Sequence, residues 1–154
     1  MRIWLICVGK LGRAAEAGLA RDYAIRASAA GRGLGLAPVE IVEVEGRKPG
    51  KAAEAQVILA RLGEARLIAC DEHGAPFTSR GLAARLAALR DTGVRNLAFA
   101  IGGADGLDDS VLEAATERLA FGPQTWPHAL ARVMLAEQIY RAISILAGSP
   151  YHRD

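Results

Sequence analysis

The sequence predicts an α/β domain in which a mostly parallel sheet is covered by helices on both faces. Short apolar runs alternate with helical stretches, and the runs are continuously apolar, as strands buried on both faces are. We expect strands at residues 3–8, 39–44, 66–70 and 96–101, and a weaker fifth at 119–125. The predicted helices span about residues 12–30, 51–63, 79–91, 109–118 and 127–147.

The length of 154 residues predicts one domain, residues 1–154, with a full hydrophobic core. No run of about 18 uncharged apolar residues exists, so we expect no membrane span. The apolar start lacks a credible signal-peptide cleavage site, and we interpret it as the first strand. Cys7 and Cys70 lie in apolar runs, where free cysteine behaves as a small hydrophobe. This pattern predicts a reduced, cytoplasmic protein.

Charge is unevenly distributed, although the net charge is only +2. Residues 1–35 carry six basic and two acidic side chains, whereas residues 100–127 carry one basic and five acidic ones. The first segment suits a polyanion and the second repels one. From charge alone a solvated helix face is the favoured explanation of the first segment, so the charge pattern supports nucleic-acid binding only weakly. Residues 46–51 form a separate basic loop.

The last predicted helix is apolar over most of its surface. Pro127 suits its first turn, and Gly148 with Pro150 ends it. The apolar residues on its two flanks are Leu130, Val133, Met134 and Ile139, and Leu135, Ala142, Ile143 and Leu146. One sheet face cannot cover so wide a surface, which predicts a homodimer through this helix. A central helix of a monomer is the alternative.

A glycine loop at residues 102–106 follows the fourth predicted strand. It matches neither the dinucleotide fingerprint nor the P-loop. Asp105 within the loop, and Asp108 and Asp109 after it, disfavour a bound phosphate and suit a cationic ligand. From these residues alone, the simpler interpretation is a turn followed by a helix that Asp108 or Asp109 caps.

Candidate reactive groups lie near the last helix and in the tail. His128 stands at the helix N-terminus, and its imidazole is suited to accept a proton; a structural histidine fits equally well. His73, in the loop after the third strand, is a weaker candidate. The histidines and cysteines show no metal-ligand spacing, so we predict no metal.

The tail of the chain carries Tyr151, His152 and Arg153. These residue types suit base stacking and phosphate binding, and a frayed terminus is the alternative.

Four segments together resemble one known family. They are Ile-Gly-Gly-Ala-Asp-Gly-Leu at 101–107, Thr-x-Pro-His at 125–128, Arg-x-x-Leu-x-Glu-Gln-x-Tyr-Arg at 132–141, and Gly-x-Pro-Tyr-His-Arg at 148–153. Over essentially its whole length the chain resembles the ribosomal RNA large subunit methyltransferase H family of the SPOUT class. The resemblance implies S-adenosylmethionine-dependent methylation of N3 of a pseudouridine in 23S ribosomal RNA on the assembled ribosome. It also implies a C-terminal trefoil knot and a homodimer.

The resemblance further implies where the site lies. Its cofactor-binding residues are Cys70, Gly102, Phe121, Gly122, Pro123, Gln124, Thr125 and Trp126. The tail residues Tyr151, His152 and Arg153 bind RNA or close the site. We hypothesise that His128 or a tail residue assists deprotonation of N3, while Arg132 or Arg153 stabilises the carbonyl oxygens or holds phosphate. Cys70 and residues 121–126 depart from the family's usual residues, but largely backbone contacts would preserve cofactor binding.

Two other classes of protein remain open. A non-catalytic RNA- or ribosome-binding module on the same fold would bind no S-adenosylmethionine, and the glycine pair at 102–103 argues against it. A small flavodoxin-like nucleotide or signalling domain would need a phosphate loop or an acidic phospho-acceptor pocket. The sequence shows neither.

Overall fold

The computed structural model describes residues 1–152 and contains a five-stranded parallel sheet. The strands are β1 (Arg2–Val8), β2 (Val39–Val44), β3 (Arg66–Pro76), β4 (Asn96–Ile101) and β5 (Glu117–Ala120). Their spatial order is β2-β1-β4-β3-β5, and each neighbouring pair is parallel. The predicted parallel sheet is therefore confirmed.

Helices cover both faces of the sheet, as predicted. The α-helices of the described residues are α1 (Ala15–Gly31), α2 (Lys51–Leu62), α3 (Ser79–Asp91), α4 (Asp109–Ala114) and α5 (His128–Leu146), with a 3-10 turn at Arg32–Leu34. α1, α3 and α5 pack on one face, and α2 and α4 pack on the other. α1 begins later than predicted because Gly12 adopts a left-handed φ of 55° that a helix does not accommodate.

The central strands bury side chains on both faces. In β1, Leu5 and Cys7 lie in the core beneath α1, α3 and α5, whereas Ile6 and Val8 lie in the core beneath α2 and α4. Successive side chains of a strand point to opposite faces. A strand covered on both sides must therefore be apolar at every position, which explains the continuous apolar runs of the sequence.

β3 is longer than predicted. The sequence ends this strand at Cys70, but after a bulge it pairs with β5 again through Ala75 and Pro76. The strands approach so closely that a Cβ at Gly74 would lie 2.7 Å from the backbone of Arg118. The bulge carries residues 71–74, which the sequence places in a loop.

The segment around β5 also differs from the prediction. The predicted helix at 109–118 ends already at Ala114, because the chain turns extended there and the amide of Thr116 donates to the carbonyl of Leu67 at 2.9 Å. β5 ends at Ala120 rather than at residue 125. Gly122 has a left-handed φ of 99° and the next residue is proline, so the strand cannot continue.

α5 ends as predicted, with Gly148 at a φ of 66° and the amide of Ser149 bonded to the carbonyl of Ser144 at 2.9 Å. The protomer covers only part of its apolar surface. Leu130 is 42% exposed, whereas one stripe is fully buried: Leu135, Ile139, Ala142 and Ile143. The trefoil knot that the resemblance implies stays a prediction.

Candidate active site

A cleft of about 580 Å³ opens at the carboxyl-terminal edge of the sheet, where β3, β4 and β5 end. The carboxyl ends of parallel strands meet at one edge, so the segments that follow them converge there. The walls of the cleft are the bulge of β3, the glycine loop, the segment after β5 and the first turn of α5.

The glycine loop brings the bare backbone against the cleft. Gly106 has a φ of 76°, and its amide donates to the carbonyl of Gly103 at 3.1 Å. A Cβ at Gly102 would lie 2.5 Å from the backbone of Gly106, so only glycine fits there. A Cβ at Gly103 would meet the carboxylate of Glu54 at 3.1 Å, a contact that a side chain can relieve by rotating.

Residues 121–126 form a closed segment after β5. The indole nitrogen of Trp126 donates to the carbonyl of Phe121 at 3.2 Å and closes the segment on itself. The hydroxyl of Thr125 donates to Glu72 at 3.1 Å and ties the segment to the β3 bulge. These two bonds fix a wall that the sequence assigns to a strand.

The structure brings most of the predicted cofactor residues together. The cleft is lined by Cys70, Gly102, Phe121, Gly122, Gln124, Thr125 and Trp126, whereas Pro123 is not among its lining residues. His128, the first residue of α5, also lines it. Burial raises the pKa of the Cys70 thiol far above its ordinary range. The thiol is therefore uncharged and serves as an apolar wall rather than as a nucleophile.

The cleft is electronegative. Its lining includes four carboxylates, those of Asp71, Glu72, Asp105 and Asp109, and two cations, Lys51 and Arg118. Arg118 is also neutralised in part, since its guanidinium lies 3.6 Å from Asp71. A cationic ligand is favoured in such a cleft over an anionic one.

Asp108 caps the N-terminus of α4. Its carboxylate accepts hydrogen bonds from the hydroxyl and the amide of Ser110, at 2.7 and 3.0 Å, and so caps α4. These hydrogen bonds lower the pKa of Asp108. Of the two aspartates proposed as caps, Asp108 caps the helix, and Asp109 lines the cleft.

Arg132 does not line the cleft. It is 1% exposed, and its guanidinium donates to Glu43 at 2.6 Å and to the carbonyls of Gly9 and Val8 at 2.9 and 3.3 Å. The pKa of Glu43 is lowered from its ordinary value. Burial alone would raise this pKa, but the hydrogen bonds from Leu11 and Arg132 and the charge of Arg132 outweigh the effect of burial. The structure therefore separates Arg132 from the other predicted site residues.

Tyr151 packs on α5, and neither it nor His152 is among the residues that line the cleft. The Tyr151 ring lies 4.5 Å from the Tyr140 ring and 4.8 Å from the Arg141 guanidinium. Its hydroxyl donates to Glu137 at 3.0 Å. Burial, together with hydrogen bonds to Tyr23 and Glu137, raises the pKa of Tyr151 far above its ordinary value, so the phenol stays protonated. His152 is half-buried, and Arg153 lies outside the described residues.

Several cleft residues were not predicted from the sequence. Lys51 begins α2, Glu72 lies in the β3 bulge, and Arg118 lies in β5. A usable signal existed for Glu72, two residues after the predicted end of the third strand, and for Lys51, at the end of the loop that follows β2. Loops at this edge of a parallel sheet carry binding residues. Arg118 gave none, because the sequence placed it in a helix.

Residues 1–152 offer neither a metal site nor a membrane-spanning helix. No group of three or more histidine, cysteine, aspartate or glutamate side chains there is arranged to hold a metal ion. No helix in that range is both long and apolar enough to cross a membrane.

Comparison with known proteins defines the class. A family model described as predicted SPOUT methyltransferase matches residues 1–152, and the chain belongs to this family. A probable methyltransferase from Bordetella pertussis Tohama I shares the fold, with a TM-score of 0.55 at 18% identity, covering 92% of this chain and 96% of that one. A probable methylase family protein from Haemophilus influenzae Rd KW20 gives 0.54 at 12% identity, covering 99% and 70%.

Relatives narrow the family further. The chain is 67% identical over 154 residues to the ribosomal RNA large subunit methyltransferase H of Caulobacter sp. (strain K31), covering 100% of both chains. It is 62% identical to the protein of the same name from Phenylobacterium zucineum (strain HLK1), again covering 100% of both. The predicted resemblance to this family is confirmed.

Proposed function

We propose that this protein is an S-adenosylmethionine-dependent methyltransferase that modifies N3 of a pseudouridine in 23S ribosomal RNA, on the assembled ribosome. The observation that carries the proposal is the electronegative cleft that Gly102 lines. The chain that contains this cleft is 67% identical over its full length to a ribosomal RNA large subunit methyltransferase H. The Bordetella and Haemophilus structures support only the fold.

The cleft fits the proposed cofactor. Bound S-adenosylmethionine supplies a methyl carbon activated by a positively charged sulfur. Four carboxylates against two cations suit that charge. The bare backbone at Gly102 allows close approach, and apolar side chains offer a surface for an adenine ring, namely Ile101, Leu107, Leu112, Leu119 and Phe121.

His128 is the proposed proton acceptor. N3 of a uracil-like base carries a proton that must leave before the nitrogen forms a new bond, and an imidazole is suited to accept it. His128 lines the cleft at the first turn of α5. Arg153 is proposed to stabilise the carbonyl oxygens flanking N3 or to hold phosphate. Arg132 keeps only a positioning role in this proposal, because its guanidinium is engaged at β1 and β2.

The proposed assembly is a homodimer through α5. Leu130 is 42% and Trp126 is 41% exposed, and Trp126 and His128 line the cleft. A second protomer packed on the side of α5 that carries Leu130 would therefore lie beside the cleft. The tail residues of that protomer, Tyr151, His152 and Arg153, could then complete the RNA-binding surface. The trefoil knot and a cytoplasmic location follow from the same resemblance and belong to the proposal.

The proposal is tested by two measurements on one preparation. Calorimetry measures S-adenosylmethionine binding, and radiolabelled methyl transfer is measured on ribosomes from a strain lacking the gene. We expect micromolar binding and incorporation into the large subunit. Ribosome binding by a folded protein with neither cofactor binding nor methyl transfer would instead support a non-catalytic RNA- or ribosome-binding module.

The role of His128 is tested separately. His128→Ala should reduce the rate of methyl transfer while leaving cofactor affinity nearly unchanged, since general-base assistance contributes about 100-fold or more to a rate. His73→Ala is the matched control, because His73 also lines the cleft but lies in the β3 bulge. Equal rates in the two variants would contradict the assignment of the proton to His128.

A further inference from the structure

The carboxyl-terminal edge of the sheet divides into a basic half and an acidic half. The segments after β1 and β2, residues 9–14 and 45–51, carry five basic side chains and one acidic side chain, Glu45. Residues 71–78, 102–109 and 121–127, at the ends of β3, β4 and β5, carry five acidic side chains and no lysine or arginine. Because β2 and β1 are neighbours at one side of the sheet, the basic segments adjoin each other.

The two basic segments are held together by specific bonds. The amide of Gly9 donates to the carbonyl of Val44 at 2.9 Å, and the amide of Leu11 donates to Glu43 at 3.1 Å. Lys10 forms an ion pair with Glu45 at 2.8 Å. The segments therefore form one surface with a defined spacing, although the pairing neutralises Lys10.

The second basic segment is compact. A Cβ at Gly46 would lie 3.0 Å from the carbonyl oxygen of Lys48 and 3.1 Å from the backbone of Ala53, so the segment folds back onto the first turn of α2. Arg47 and Lys48 are exposed and form no ion pair within the part of the chain that the structure describes. Their positive charge is thus available to a ligand, on a backbone that is held close to α2.

The basic surface continues into the cleft. Lys51, the first residue of α2, lines the cleft, and its charge acts on Asp108 beside the glycine loop. Arg13 is exposed on the neighbouring segment. A polyanion lying across the basic half would pass the mouth of the electronegative cleft without entering it.

We propose that Arg13, Arg47 and Lys48 bind backbone phosphates of the substrate RNA beside the cleft that receives the target base, an inference that rests on the proposed function. The acidic cleft suits the cofactor but repels RNA, so cations outside it must supply the attraction. Phosphate contacts fix the position of a nucleic acid, while contacts to the base select it. The acidic half then faces the single extruded base rather than the backbone.

The test removes two of these charges and compares them with two elsewhere. Arg47→Gln/Lys48→Gln removes cations that do not line the cleft. Arg66→Gln/Arg95→Gln is the matched control, because Arg66 and Arg95 are exposed at the amino-terminal ends of β3 and β4, the opposite edge of the sheet. Both pairs change the net charge equally.

Affinity is measured against salt for transcribed 23S ribosomal RNA and for ribosomes from the strain lacking the gene. Each lost phosphate contact lowers the slope of log affinity against log salt by about 1. The Arg47/Lys48 pair should therefore lower it by about 2, and raise the KM for ribosomes about tenfold or more. The control pair should change neither, and cofactor affinity should stay equal in all three proteins.

The outcomes separate this inference from the proposed function. Equal slopes for wild type and the Arg47/Lys48 pair, or equal losses in the two pairs, overturn the phosphate surface even if methyl transfer is intact. Weaker binding to ribosomes with unchanged binding to free RNA overturns it in favour of an acidic protein partner. Absence of methyl transfer by the wild type, with the expected salt slopes, leaves the surface standing and removes the proposed function.

Discussion

Arg132 of α5 donates to Glu43 of β2 at 2.6 Å, across 89 residues of sequence. The same guanidinium bonds the carbonyls of Val8 and Gly9, so one buried side chain joins the last helix to the ends of β1 and β2. His128 lies one turn earlier on α5 and lines the cleft. The pair therefore sets the position of the helix that forms one wall of the cleft.

Replacing Arg132 should destabilise the protein. Arg132→Met removes a donor from two carbonyls and leaves the Glu43 carboxylate with the Leu11 amide but without the Arg132 cation. Breaking a buried ion pair costs about 3 kcal/mol or more. We expect about 3 kcal/mol, since the Glu43 side chain is 33% exposed and water can reach it. Urea unfolding measures the change. Glu43→Gln, whose amide oxygen still accepts hydrogen bonds, should cost less, and equal costs would contradict this account.

The same pair predicts a dependence of stability on pH. The folded state lowers the pKa of Glu43 below its ordinary value of 4.5. The carboxylate therefore stabilises the fold fully above about pH 4.5, and this contribution is lost as the pH falls through the lowered pKa. Unfolding free energies of wild type and Glu43→Gln should differ at pH 7 and converge in acid. A gap that stays constant down to pH 2 would contradict the ionic origin.

Gly102 and Gly103 should differ in their tolerance of alanine. A Cβ at Gly102 collides with the backbone of Gly106, whereas a Cβ at Gly103 meets only the Glu54 carboxylate. Gly102→Ala should thus distort the loop and weaken S-adenosylmethionine binding by more than about tenfold, or about 1.4 kcal/mol. Gly103→Ala should bind the cofactor nearly as wild type does. Calorimetry compares them, and the reverse ranking would place the cofactor elsewhere.

Tyr151 should anchor the tail through its ring. Contacts with Tyr140 and Arg141 depend on the ring, and the bond to Glu137 depends on the hydroxyl. Tyr151→Phe should lose about 1 kcal/mol of stability. Tyr151→Ala should lose more and also slow methyl transfer, because His152 loses the neighbour that anchors it to α5. Thermal unfolding and transfer rates test this, and a Tyr151→Ala protein with the wild-type rate would exclude a role for the tail.

The proposed dimer should depend on Leu130. Leu130→Arg places a charge on the exposed flank of α5, where burying it against a second protomer is costly. The solution mass should fall from twice the chain mass to the single-chain 16.2 kDa. The control is Ala60→Arg, at an exposed position of α2 on the opposite face of the sheet. A wild-type mass of 16.2 kDa, or a dimer unaffected by Leu130→Arg, would contradict an interface on this flank.

The sequence was informative where local pattern decides structure. α3 occupies the predicted range, since Thr78 caps its start by accepting from the amide of Gly81 at 2.9 Å. The end of α5 was predicted from Gly148 for a comparable local reason. The strands followed from apolar runs, because burial on both faces leaves a continuous signal.

Local pattern failed where distant segments decide. β3 continues past Cys70 because β5 pairs with it again after the bulge. No residue within β3 indicates this second pairing. The burial of Arg132 depends on partners more than 80 residues away, so the sequence placed this arginine with the reactive groups. The proposed cofactor residues came from family motifs and not from spacing. The knot, which stays a prediction, would leave no periodicity in the sequence.

The central claim is tested most directly by nucleoside mass spectrometry of 23S ribosomal RNA, after ribosomes from the strain lacking the gene react with the purified protein and S-adenosylmethionine. We expect one methyl group per ribosome, located on N3 of a pseudouridine, and slower incorporation of it at limiting S-adenosylmethionine when Gly102→Ala replaces the wild type. A methyl group on another atom, or none despite cofactor binding, would contradict it.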